Sequence, residues 1–171
     1  AAFEEVARVR HETALAKVPY VIEHLREALE EHSKVVVFAH HHDVIDAIHF
    51  EFPDSVVLTG RDSQTARQEA VDRFQTDPTV RLFIGSIQAA GVGLTLTAAS
   101  YVVFAELDWV PGNVSQAEDR LHRIGQSDSV LVQHLVLEDS IDAHIAKTLV
   151  EKQRIIEQAM DGAPDIERVP I

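Results

Sequence analysis

The chain has 171 residues, 46% of them hydrophobic, which suits one domain with a sizeable apolar core. Its formal net charge is −13 without a basic block, which argues against strong independent binding to nucleic acid, because phosphate neutralisation supplies most non-specific affinity. The sequence has no cysteine, which excludes disulfides and thiolate zinc sites, and no apolar run of the roughly 18 residues that a membrane span needs, so we expect no membrane partner.

Helix and strand signals alternate along the chain. A first helix is predicted over residues 17–33, where apolar residues recur at helical spacing. The β-branched run VVVFAH at 35–40 predicts a buried strand, and HDVIDAIHF at 42–50 predicts a short helix. Further strands are predicted at 55–60, 80–86, 101–107 and 129–137, and further helices at 62–75, 111–124 and 140–160.

This alternation predicts a three-layer α/β domain with a mainly parallel sheet. In such sheets, ligands bind beyond the C-terminal ends of the strands. Four segments follow predicted strands and are expected at that edge: HHHD (40–43), TGRD (59–62), GSIQAAGVGLT (85–95) and ELDWVPG (106–112).

The glycine-rich segment lacks a phosphate loop. Gly91 and Gly93 permit close approach of the backbone to a ligand, but neither GxGxxG nor GxxxxGK[ST] occurs in the sequence. We therefore expect that the chain does not hydrolyse ATP alone. Taken in isolation, the segment is equally compatible with a glycine turn that binds nothing.

Two polar groups at strand ends have competing interpretations. Adjacent histidines in HHHD point in different directions, so hydrogen bonds to loops or to a phosphate backbone are favoured over a metal site. Glu106 and Asp108 would share one side of a continuing strand, which raises a paired acid/base role, but a role as loop-fixing acceptors is favoured.

The segment QAEDRLHRIGQ brings cations to one helix face. At 100° per residue, Gln116, Arg120 and Arg123 fall within an arc of about 60°. Arginine suits bidentate recognition of phosphate or carboxylate. Helix geometry alone favours surface pairing with nearby acidic residues, which would contribute little stability.

Three stretches together carry a family resemblance. The stretches KVVVFAH, GRDSQTARQEAVDRFQ and SIQAAGVGLTLTAASYVVFAELDWVPGNVSQAEDRLHRIGQ resemble the C-terminal RecA-like lobe of Swi/Snf-type DNA-dependent ATPases, within helicase superfamily 2. VVVFAH resembles helicase motif IV, SIQAAGVGLTL motif V and QAEDRLHRIGQ motif VI. FAHH, VVFAEL and QAEDR are most similar to the annealing-helicase branch.

The resemblance implies a division of labour in ATP hydrolysis. In this family ATP and Mg²⁺ lie between two lobes, and the first lobe carries the Walker A lysine and the Walker B acid. The second lobe supplies arginine fingers, a role that falls to Arg120 and Arg123, with Gln116 holding the array. Such a finger contributes about 10³–10⁵ in rate.

The resemblance also implies two sets of binding residues. Those expected to bind nucleotide are Gly91, Gly93 and Glu106. Those expected along the DNA backbone are Ser86, Thr95, His40 and His41. Hydroxyls and backbone N–H groups contact phosphates without reading bases.

The implied function is that of a second motor lobe in an ATP-dependent double-stranded DNA translocase, inactive alone and partnered by the first RecA-like lobe and by duplex DNA. The alternative is a RecA-like scaffold for protein contacts.

We expect a lead-in over residues 1–12, the lobe over 13–160 and an irregular tail over 161–171. The start without Met favours an interior piece of a longer protein, whose excised face would favour self-association. The expected location is the cytoplasm or nucleoid of a bacterium, or the nucleus of a eukaryote.

Overall fold

A computed structural model describes residues 2–90, 96–106 and 131–136, together with helical residues at 143–144, 147–148, 150–152, 154–155 and 158–159. The predicted helix over 111–124 lies outside the described residues. The described helical residues between 143 and 159 fall within the helix predicted over 140–160.

The described strands form one parallel sheet. They are β1 (Val35–Ala39), β2 (Val56–Leu58), β3 (Leu82–Ser86), β4 (Tyr101–Phe104) and β5 (Leu131–His134). Their order is β2-β3-β1-β4-β5, and each neighbouring pair is parallel. All five predicted strands and the parallel α/β architecture are confirmed, with somewhat shorter bounds.

Helices cover both faces of the sheet. They are α1 (Ala2–Glu31), α2 (His42–Glu51), α3 (Gln64–Thr76) and the single turn α4 (Ile87–Ala90). Helix α3 begins where Ser63 accepts a hydrogen bond from the backbone N–H of Ala66 at 3.2 Å, which satisfies one of the free N–H groups of its first turn.

Strand β1 divides the core into two halves, because successive side chains of a strand point to opposite faces. Val35 and Val37 pack with α1 and α2 through residues such as Leu25. Val36 and Phe38 pack in the other half, which includes apolar residues of α3. All of β1 is buried, which explains why its sequence is continuously apolar rather than alternating.

Helix α1 begins fifteen residues before the predicted start at Lys17. Its added turns carry few buried apolar residues and an exposed charge network, in which Arg8 binds Glu5 and donates to Glu12 at 2.6 Å. Pro19 lies inside the helix, although proline is best tolerated in the first turn. Sequence periodicity therefore located the buried half of α1 and missed the charged half.

Two cations from elsewhere in the chain satisfy the carbonyls at helix ends. The Arg81 guanidinium donates to the carbonyls of His32 at 2.9 Å, Ser33 at 3.1 Å and Leu29, at the end of α1. No basic residue of α1 lies in its own last turn. Arg81 therefore supplies from the start of β3 what the helix sequence lacks.

Lys34 donates hydrogen bonds to the carbonyls at the end of α3 in the same way. Its ammonium donates to the carbonyls of Asp77 and Val80, both at 2.7 Å, and to that of Phe74. Burial lowers the pKa of Lys34, although the charge of Asp77 opposes that effect. Loss of solvation therefore offsets part of what the three hydrogen bonds contribute.

We expect Lys34→Met to lower the free energy of unfolding by about 1–3 kcal/mol, because three carbonyls lose a shared charged donor while the apolar stem is kept. Urea unfolding followed by circular dichroism would measure this. Lys152→Met, at an exposed helical position, is the matched control and should change stability little. Equal stability of the two variants would contradict a capping role for Lys34.

Candidate nucleotide and nucleic-acid site

Three adjacent strands bring predicted site residues to one edge. Ser86 ends β3, His40 follows β1, and Glu106 lies two residues after β4. The pairing of Ala39 with Ser86 aligns the ends of β1 and β3. This is the C-terminal edge of a parallel sheet, where ligands of such folds bind.

Glu106 is almost fully buried, with 2% of its surface exposed, and its carboxylate holds the turn between β1 and α2. Oε2 accepts backbone N–H groups from His40 at 2.7 Å and from His41 at 2.8 Å. Oε1 lies 2.5 Å from Nδ1 of His41. Loop fixing, the role favoured from sequence, is therefore what the carboxylate performs within the described structure.

The same carboxylate accepts a hydrogen bond at the start of α2. His41 is the N-cap residue of that helix, and its side chain makes no capping hydrogen bond. Glu106 accepts the N–H of His41 instead. A carboxylate near a helix N-terminus also interacts favourably with the helix dipole.

A second histidine from α1 completes the cluster. The rings of His11 and His41 stack with centroids 4.3 Å apart and an interplanar angle of 9°. Nε2 of His11 lies 2.5 Å from Oδ2 of Asp43. His40 meets His41 edge to face at 4.8 Å. We call His11, His40, His41, Asp43 and Glu106 the histidine–carboxylate cluster.

Asp43 shows the electrostatic effect of this cluster. Desolvation acts to raise the pKa of its carboxyl, but the hydrogen bond and charge of His11 outweigh it, with help from the N–H of Val44 and the charge of His41. The net result is a pKa below the ordinary aspartate value. The carboxylate is thus stabilised as an anion among imidazoles.

Sequence reasoning missed His11 and used Asp43 only as part of HHHD. The buried stripe of α1 comprises Ala14, Lys17, Val21, Leu25 and Ala28. His11 lies three residues before Ala14 and therefore on the same face of α1. Extending the stripe towards the N-terminus would have predicted that His11 faces the rest of the domain.

The other predicted site residues lie outside the described residues: Gln116, Arg120, Arg123, Gly91, Gly93 and Thr95. Among the residues that the structure describes, no group of three or more histidine, cysteine or acidic side chains could hold a metal ion. Over the same part of the chain, no helix is both long and apolar enough to cross a membrane.

Residues 16–125 match the model of the helicase conserved C-terminal domain. The chain belongs to this family. The matched range includes the stretches that resemble motifs IV and V and nearly all of the stretch that resembles motif VI, so the predicted resemblance is confirmed.

Relatives of this helicase domain are Swi/Snf-related. The DNA annealing helicase and endonuclease ZRANB3 of Mus musculus is 40% identical over 162 residues, covering 92% of this chain and 15% of the relative. The SWI/SNF-related matrix-associated actin-dependent regulator of chromatin subfamily A-like protein 1 homolog of Caenorhabditis elegans is 41% identical over 154 residues, covering 85% and 22%. The chain thus spans under a quarter of the length of these relatives.

A solved structure agrees with the fold. The crystal structure of the C-terminal part of the Fun30 ATPase domain matches with a TM-score of 0.64 and 30% identity, covering 67% of this chain and 38% of that one. Together with the parallel sheet and the family match, this identifies the helicase domain as a RecA-like lobe.

We expect Asp43→Asn to lower the free energy of unfolding of the helicase domain by less than about 1 kcal/mol at pH 6, since the Asp43 side chain is 49% exposed. Because its folded-state pKa is lowered, its contribution is present above the ordinary aspartate pKa near 4 and is lost as the pH falls through the folded value. Urea unfolding from pH 6 down to pH 3 measures the difference from wild type.

Asp46→Asn is the matched control, because Asp46 lies on the same helix with 68% of its side chain exposed and Arg61 3.9 Å away. Its stability difference from wild type should vary less with pH. Identical pH profiles for the two variants would contradict a specific interaction between Asp43 and the imidazoles.

Proposed function

We propose that this domain is the second motor lobe of an ATP-driven double-stranded DNA translocase and is inactive without the first RecA-like lobe. The observation that carries the proposal is a helicase C-terminal match over residues 16–125 in a chain whose sequence contains no GxxxxGK[ST]. A lobe of this kind needs a partner lobe to supply the phosphate loop and its lysine.

Arg120 and Arg123 would act as arginine fingers towards ATP·Mg²⁺ held by the first lobe, with Gln116 as their hydrogen-bonding neighbour and Gly91 and Gly93 close to the nucleotide. Phosphoryl transfer depends mainly on positioning and on charge stabilisation. A finger on a separate lobe acts only when the lobes close, which couples hydrolysis to motion.

The DNA-facing residues of this proposal are Ser86, Thr95, His40 and His41. Support comes from the alignment of Ser86 and His40 at the ends of neighbouring strands, at the ligand-binding edge of the sheet. Translocation along any sequence needs phosphate contacts and no base readout.

The net charge of −13 fits a composite DNA site rather than an independent one. A lobe that contributes a few local phosphate contacts does not need the basic surface that a protein binding DNA by itself requires. Duplex DNA and the first lobe are accordingly the proposed partners, and this domain alone is expected to bind DNA weakly.

We expect Arg123→Ala, in a protein that joins this lobe to its first lobe, to reduce DNA-stimulated ATP turnover by about three decades or more, because the γ-phosphate loses its trans-acting cation. Turnover would be measured with and without duplex DNA. Arg154→Ala, at an exposed helical position, is the matched control and should retain wild-type turnover.

Normal turnover by Arg123→Ala would contradict the finger role. A separate outcome concerns the wild-type protein. If it showed no DNA-stimulated turnover, the motor function itself would be contradicted, and the scaffold alternative would take its place.

A further inference from the structure

The predicted nucleotide residue Glu106 and the predicted DNA residue His41 belong to one cluster, since 2.5 Å separates the Glu106 carboxylate from the His41 ring. They cannot serve two separate ligands independently. Glu106 is buried, and both of its oxygens are occupied by N–H groups of His40 and His41 or by the His41 ring. A buried anion so occupied would repel a phosphate rather than bind it.

The Glu106 contact determines which ring nitrogen of neutral His41 carries the proton. A carboxylate only accepts hydrogen bonds, so the shared proton lies on Nδ1 of His41. Neutral His41 then presents a lone pair at Nε2, which cannot donate to a phosphate. The imidazolium form presents Nε2–H and can donate a charge-assisted hydrogen bond.

The surroundings of His41 supply compensating charge for that imidazolium. Glu106 approaches from the end of β4, Asp43 from the first turn of α2, His11 from α1, and His40 from the turn itself. Two carboxylates thus accompany three imidazoles. His11 is paired with Asp43, and Glu106 contacts His41 directly.

We propose that Glu106 is a positioning residue that holds His41 with Nε2–H available to a phosphate group, so that phosphate binding at this edge is coupled to protonation of His41. This inference rests on the proposed function and deepens it. It changes the expected role of Glu106 from a nucleotide ligand to the partner of a cationic histidine.

The phosphate could belong to the DNA backbone or to the nucleotide, and the chemistry at Nε2 is the same for both. Equilibrium binding separates the two sources without requiring hydrolysis. One arm would use a fluorescent duplex DNA, and the other a fluorescent, non-hydrolysable ATP analogue with Mg²⁺. Both would be measured from pH 5.5 to 8.5 with the protein that joins both lobes.

We expect His41→Gln to weaken binding of one of these ligands by about tenfold at pH 6, as expected for loss of a hydrogen bond to a charged group. The same variant should flatten the fall in affinity with rising pH. His42→Gln is the matched control, because His42 is the next residue and is exposed. A loss confined to the duplex identifies the DNA backbone, and a loss confined to the analogue identifies the nucleotide.

Glu106→Gln tests positioning as distinct from folding. It keeps the side-chain length but removes the anion, so the midpoint of the pH dependence should move to lower pH. A purely structural role would lower the melting temperature without moving that midpoint. Asp43 makes no contact with Glu106 among these hydrogen bonds, so Asp43→Asn should move the midpoint in the same direction but by less. This variant provides the test if Glu106→Gln does not fold.

The inference is overturned if His41→Gln binds both ligands as wild type does at every pH. It is also overturned if neither carboxylate variant that folds moves the midpoint. These experiments measure binding constants and do not require hydrolysis. Absence of ATP turnover in wild type would therefore contradict the motor function, while the binding data would still test the role of His41.

Discussion

The contact between the Glu106 carboxylate and the β1–α2 turn determines the geometry of the candidate site at the C-terminal edge of the sheet. As the chain leaves β1, the N–H groups of His40 and His41 need acceptors at a partly buried position. A side chain that follows the neighbouring strand β4 provides them. One carboxylate therefore fixes the turn, caps α2 and orients the His41 ring, so that two adjacent strands share a single structural element at their ends.

Helix α1 connects this edge to the opposite end of the sheet. Its 30 residues correspond to about 45 Å of helix at 1.5 Å per residue. In the first half of the helix, His11 stacks on His41 of the histidine–carboxylate cluster. Near the middle, buried Lys17 donates to the carbonyl of Leu135 at 2.9 Å. At the C-terminal end, Arg81 donates to the last carbonyls. The turns that precede the family match at residue 16 thus contact the candidate site directly.

Strands β1 to β4 were predictable because each is a short apolar run rich in β-branched or aromatic residues, and the alternation with helices implied a parallel sheet. The first half of α1 was not, because it is mostly exposed and Arg8 pairs with Glu5 and Glu12 at its surface, so few buried apolar positions mark it. At the site, the position of Glu106 and His41 at one edge followed from strand ends. Their direct contact did not, since 65 residues separate them and no local spacing encodes it.

For the proposed phosphate contact, the charges close to the ligand matter more than the net charge of the domain. Mobile ions screen exposed charges beyond about 8 Å at physiological ionic strength, so the net charge of −13 weakly affects a ligand seated at one edge. What matters there is the nearest donor and its protonation state. In the proposed arrangement, His41 supplies that donor, and the buried Glu106 carboxylate beside it supplies the counter-charge. In the proposed two-lobe motor, such a contact would strengthen when the lobes close around a ligand, without making the isolated lobe a general binder of nucleic acid.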